Sequence, residues 1–259
     1  MSQGLPPRAG RRGFLKLAAS SLLMAGCSRL NDSETAQSVL SFFDRWNHQA
    51  GLMLDSPYRL ARTYPREAVQ PEQMRPNGSV VTPGSQLVQT PEEEWTLTVG
   101  EVRLANGKMA QTHWREEYTL DQLRRLPALE QTVEHVCVEG WSAICHWKGL
   151  ALADLLRRRP LRPESRYVFF LCDDLMRSPR GMERYSVTLD LHQALHPQNV
   201  LAYEYNGEKL TPAHGAPLRL ASPVNVGWKS AKYVRYIFVM NEDLGGFWEA
   251  QGYPRYYGF

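Results

Sequence analysis

Cysteine is scarce in this chain, with four in 259 residues. That is too few for a scaffold stapled by disulfides. No apolar run approaches the ~20 residues needed to span a bilayer, which excludes a polytopic membrane protein. There is no glycine-rich phosphate loop of the Rossmann or P-loop type, no repeat period and no βαβ alternation. A net excess of charge of either sign is also small. The formal net charge is +3, and residues 1–26 alone hold Arg8, Arg11, Arg12 and Lys16 with no acid. Beyond them 26 basic residues face 27 acidic ones, so the body carries no electrostatic footprint for nucleic acid. What is present is ordinary for a globular protein: 43% hydrophobic and 22% charged residues. This excludes a mostly disordered or collagen-like chain.

The N-terminus reads as an address. Arg11-Arg12-Gly13-Phe14-Leu15-Lys16 precedes a short apolar stretch over residues 17–26. A charged start followed by a stretch too short to span is the pattern of an export signal, and this one resembles a twin-arginine (Tat) leader. Leu23-Met24-Ala25-Gly26-Cys27 resembles a lipobox, with Met24 where leucine is usual. Lipidation at Cys27 and ordinary cleavage nearby both stay open. The expected outcome is periplasmic export, with membrane anchoring if Cys27 is lipidated. The Tat pathway carries folded proteins, often with cofactors already inserted.

The spacing of Val39, Leu40, Phe43 and Trp46 predicts an amphipathic helix within residues 33–54. Prolines at 57, 65, 71, 76, 83 and 91 make residues 55–94 loop-like. Strands are expected at residues 95–99, 133–138, 167–171, 201–205, 218–220 and 233–240. Asn106-Gly107 and Asn206-Gly207 mark two hairpins. Short helices are expected at residues 119–126, capped by Thr119, and at residues 150–158. The fold class is therefore α+β: mixed short sheets with scattered helices and long irregular loops. The expected division is an export signal over 1–27, a helix and proline-rich region over 28–94, and a functional domain over 95–259.

Chemistry concentrates between His135 and Trp147. Cys137 could end a strand as a small buried hydrophobe. It could form a disulfide with Cys145 or Cys172, or join His135, Cys145 and His146 around zinc. It could also give a soft thiolate to a redox metal. Further on, Asp173-Asp174 could serve a hard cation or belong to a loop. Lys229, Lys232 and Arg235 could form a solvated face, and Trp228 could be core.

Cys137-Val138-Glu139-Gly140-Trp141-Ser142 followed by Trp147-Lys148-Gly149 resembles the molybdenum-cysteine segment of the sulfite oxidase family. A second block agrees in order and spacing: Asn206-Gly207-Glu208, His214-Gly215-Ala216-Pro217-Leu218-Arg219 and Gly227-Trp228-Lys229-Ser230-Ala231-Lys232. The resemblance spans roughly residues 90–259. It implies the sulfite oxidase molybdopterin-binding fold, a Mo-molybdopterin cofactor, and Cys137 as the sulfur ligand of the metal. It places His214 and Arg219 at the pterin, and Ser230, Ala231 and Lys232 at the cofactor phosphate. Cys172 falls where relatives carry a cofactor-contacting threonine, and Asn77 is the nearest match to an N-terminal contact. His214 stands where near relatives have asparagine.

True sulfite oxidases follow the ligand cysteine closely with arginine, and no arginine follows Cys137 before Lys148. The segment is closer to the periplasmic methionine-sulfoxide reductase branch. Reduction of an S- or N-oxide by oxygen-atom transfer is therefore expected ahead of sulfite oxidation. A separate electron-donor subunit, such as a membrane haem protein, is expected too. The competing reading from another class is a cofactor-free binding lipoprotein that kept the fold.

Overall fold

The computed structural model describes residues 59–255 without a break, together with scattered positions between 33 and 49. The export signal and Cys27 lie outside the described residues. The chain divides into two compact units between Leu54 and Asp55. In the first, the described positions from Glu34 onward are helical, and Val39, Phe42, Phe43 and Trp46 are exposed.

The second unit is built on two sheets. Six strands make the larger one: β1 (Gln86–Leu87), β2 (Thr96–Ala105), β3 (Lys108–Thr119), β6 (Tyr167–Ser178), β7 (Gly181–Asp190) and β11 (Val234–Met240). Their order is β1-β6-β11-β2-β3, with β7 also on β6. Only the β11–β2 pairing is parallel. The smaller sheet runs β10 (Arg219–Ala221), β8 (Val200–Tyr205), β5 (Ser142–Ala151), β4 (Ala128–Val136), with β9 (Glu208–Lys209) on β8. Three short α-helices complete the α+β fold: α1 (Leu120–Arg124), α2 (Leu152–Leu156) and α3 (Leu191–Ala194).

Local chemistry sets the punctuation. Asn106 and Gly107 take φ of 54° and 71°, the left-handed pair that a two-residue hairpin needs, and Asn206-Gly207 repeats this at 54° and 90°. Thr119 caps α1 reciprocally: its Oγ1 accepts from Gln122 N–H at 3.2 Å, and Gln122 Oε1 accepts from Thr119 N–H at 2.8 Å.

The smaller sheet is buried on both faces. Leu150, Leu201, Tyr203 and Leu220 join the main core with Leu97, Phe170, Leu189 and Ile237 of the larger sheet and with α1 and α2. Val133, Cys145, Trp147, Val200 and Ala202 form a second cluster on the opposite face. Met74 closes that second cluster, so the proline-rich segment covers the outer face of the sheet. A bridge between Thr63 and Val133 holds it there.

At Gly149, in the β5–β8 irregularity, an added Cβ would lie 2.0 Å from the Leu201 carbonyl oxygen. Gly149→Ala is expected to force those strands apart and to destabilise the fold by about 2–3 kcal/mol, read as a lowered midpoint in urea. An unchanged midpoint would contradict this packing.

Candidate cofactor and active site

The β4–β5 hairpin ends in a tight turn that presents Cys137. Its N–H donates to Trp141 O at 2.9 Å, and Gly140 N–H donates to Cys137 O at 3.2 Å. Gly140 takes a φ of +84°, which glycine adopts without steric cost. The thiol lines a cavity that is partly open to solvent. Asn77, from the proline-rich segment, points its Nδ2 at Cys137 Sγ at 3.6 Å. Burial pushes the thiol above its ordinary value, opposed by the backbone N–H of Glu139 and by the Asn77 amide.

Opposite the thiol lie two cations. Arg219, on β10, is fully buried and bonded only to main-chain oxygens: His214 O at 3.0 Å, Ser230 O at 3.2 Å and Leu220 O at 3.5 Å. Its guanidinium lies 4.7 Å from the Trp147 ring centroid. Lys232 donates to the carbonyls of Asn77 and Ala213. Burial lowers Lys232 to about 8 and Arg219 to about 10. Among the described residues neither has an ion-pair partner. His135 also lines the cavity and is lowered to about 3, first by burial and then by these two cations, so its imidazole stays neutral.

Asp174 acts on Lys232 from across the cavity, but no acid stands beside Arg219, and a buried guanidinium without a counter-ion is costly unless a ligand supplies the anion. Trp228 Nε1, on the same wall, is buried with no acceptor. Two cations, an orphaned donor and a soft sulfur donor on one open cavity together fit a phosphate-bearing cofactor with a sulfur-ligated metal.

Of the residues singled out in the sequence, Asn77, Cys137, Arg219, Ser230 and Lys232 line this one cavity. His214 does not; its carbonyl holds Arg219, and its ring stacks on Tyr205 at 4.6 Å. Ala231 is buried behind the wall, its carbonyl accepting from Leu220 N–H at 2.7 Å. Cys172 lies wholly within the main core. Lys229 is buried rather than solvated. Asp173 and Asp174 belong to β6, not to a loop. Cys137, Cys145 and Cys172 are free thiols, and no cluster of three metal-binding side chains occurs among the described residues.

Sequence reasoning missed Met176, Tyr185 and Trp248 as lining residues, and raised Asp174 only as a cation ligand or loop residue. For Asp174 a signal existed, an acid inside an apolar strand run. Burial raises it to about 7, and its Oδ1 has no partner.

Comparison with known proteins gives a consistent picture. Residues 85–248 match the family described as oxidoreductase molybdopterin binding domain. A protein of Azospira oryzae, YedZ1, provisionally named a protein-methionine-sulfoxide reductase subunit, is 34% identical over 94% of this chain and 86% of its own length. The protein-methionine-sulfoxide reductase catalytic subunit MsrP of Ralstonia nicotianae is 32% identical over 55% of this chain. The chain spans 45% of that relative's length, about half. The sulfane dehydrogenase SoxCD of Paracoccus pantotrophus superposes with a TM-score of 0.49 at 19% identity, over 61% of this chain and 41% of that one. With the family match covering more than half the chain, and a relative matched along nearly its whole length, this chain belongs to the oxidoreductase molybdopterin-binding domain family and is a molybdenum-molybdopterin oxidoreductase of the sulfite oxidase type.

Proposed function

We propose that this enzyme reduces an S- or N-oxide, with a methionine-sulfoxide-like substrate favoured. Cys137 is the metal's sulfur ligand in this reading, Arg219 holds the pterin, and Ser230 and Lys232 hold the cofactor phosphate. The cofactor supplies two-electron oxygen-atom transfer when bound; the chain binds, orients and screens the reactants.

The observation that carries the direction is the rim beside Cys137. Val138 is 43% exposed, and the next residue, Glu139, accepts from Trp141 Nε1–H at 2.9 Å. A carboxylate and apolar groups stand where a dianion such as sulfite would want cations. A neutral oxide meets no such penalty. The names of the relatives support the same choice.

Export by the Tat route to the periplasm, with Cys27 as lipid anchor, belongs to the same proposal, as does an electron-donating partner subunit. Two relatives are named as subunits, and a membrane haem protein is the partner class we favour. Among the described residues no helix is long and apolar enough to cross a membrane.

The test uses loaded protein with a reduced viologen dye and methionine sulfoxide, against sulfite with ferricyanide. Oxide reduction is expected to exceed sulfite oxidation by at least about 100-fold in kcat/KM. Robust sulfite turnover would reverse the direction.

A further inference from the structure

Lys229 neighbours the proposed phosphate-holding residues, yet its ammonium is committed elsewhere. It is fully buried, its Nζ bonds Glu249 Oε1 at 2.5 Å and Thr188 O at 2.9 Å, and it lies 4.4 Å from the Trp228 ring centroid. A buried ion pair is seldom needed for stability, since apolar residues of similar volume do as well. Its use here is to fix one element against another. Glu249 sits on the C-terminal segment, and the family match stops one residue earlier, at Trp248.

That segment forms a wall of the cavity. Trp248 lines it together with Trp228, Met176 and Cys137. Tyr253 packs on both tryptophans, with centroids 5.0 Å from Trp248 and 6.3 Å from Trp228. Tyr253 is 41% exposed, so this aromatic group reaches solvent. Phe247 N–H donates to Ser186 O at 2.9 Å, Tyr253 N–H donates to Trp248 O at 3.1 Å, and Tyr185 donates its hydroxyl to Trp228 O. The wall is therefore anchored to β7 at its start and to the residue 227–229 turn through Lys229.

We propose that residues 246–253 are the substrate-side wall of the cavity. Trp248 sets which oxide is accepted, and Lys229 is the positioning residue that holds this wall through Glu249. This rests on the reading of the cavity as an oxide-reducing site. An indole face suits a sulfur flanked by alkyl groups, because sulfur and methyl pack well against aromatic rings, while a compact oxide such as dimethyl sulfoxide gains little from it.

The test uses the full chain loaded with molybdenum, as wild type and as Trp248→Ala, Glu249→Ala and the isosteric Glu249→Gln. Metal content is expected to stay at the wild-type level in all of them. KM for N-acetyl-methionine sulfoxide amide is expected to rise about tenfold in Trp248→Ala and Glu249→Ala and about threefold in Glu249→Gln, with kcat falling less than about threefold. KM for dimethyl sulfoxide should move by less than about twofold. Loss of metal, equal KM changes for both oxides, or a loss confined to kcat would overturn the proposal. A second readout does not need turnover: the unreactive methionine sulfone should slow amide hydrogen exchange at Phe247 and Tyr253 in wild type and not in Trp248→Ala. Wild type that reduces neither oxide yet shows this protection would sink the reaction and leave the wall standing. Turnover without protection and with unchanged KM values would sink the wall.

Discussion

Cys137→Ala is expected to lower oxide reduction at least about a thousandfold while the chain stays folded. The turn that presents this residue is made by main-chain bonds, from Cys137 N–H to Trp141 O and from Gly140 N–H to Cys137 O. Neither needs the thiol. The thiol itself takes only weak contacts, the long approach of Asn77 Nδ2 at 3.6 Å and the backbone N–H of Glu139. Removing one small buried side chain beside an open cavity should cost about 1 kcal/mol, or a few degrees in melting temperature. A thermal melt with a dye-linked assay separates the two effects. Normal turnover by the folded variant would make Cys137 an ordinary buried thiol.

The second large effect has an unusual sign. In chain prepared without cofactor, Lys232→Met is expected to raise stability, although it deletes a residue proposed above to hold the cofactor phosphate. Burial lowers the Lys232 ammonium from 10.5 to about 8, a difference worth about 3 kcal/mol against the folded state. Losing the donor to Asn77 and Ala213 offsets about 1 kcal/mol of that gain. The net of about 2 kcal/mol corresponds to about 4–8 °C. The pH dependence follows from the same shift. Below about pH 8 the lysine is charged in both states and the penalty is complete. From about pH 8 to 10.5 the folded state gives up the proton first, so wild-type stability rises with pH through that window. The variant should lack this rise. With molybdate and cofactor synthesis present, it should retain less than about a tenth of the wild-type metal, because the anion loses a direct cation. A variant less stable than wild type at pH 7 and equally loaded would contradict the assignment.

The parts of the fold written locally were legible in the sequence. Asn106-Gly107 and Asn206-Gly207 announced their hairpins, and Thr119 its helix, because turn and cap chemistry depends on a few adjacent residues. β3 and β5 were not legible, for opposite reasons. β3 is largely exposed and polar, so it shows no alternation; its pairing with β2 is what makes it a strand. β5 is buried on both faces, so its residues read as a cluster of possible ligands rather than as a strand. The cavity shows the same contrast. Cys137, Arg219 and Lys232 stood out through motif order. Tyr185 and Trp248 join them only through tertiary packing, which no local pattern encodes. Asn77 was the nearest match rather than a clear one, since its approach to Cys137 closes a gap of 60 residues. Cys172 followed the motif but is packed in the main core and does not line the cavity that Asp174 and Met176, further along the same strand, reach.

The most direct test of the account is molybdenum content. The full chain, residues 1–27 included, would be made in a Tat-competent, molybdate-fed bacterial host beside a control molybdoenzyme, purified, and assayed for metals by mass spectrometry. The account predicts close to one molybdenum per chain with a releasable pterin, falling sharply in Lys232→Met. Well-folded protein that reproducibly holds no molybdenum, while the control is loaded, would contradict it.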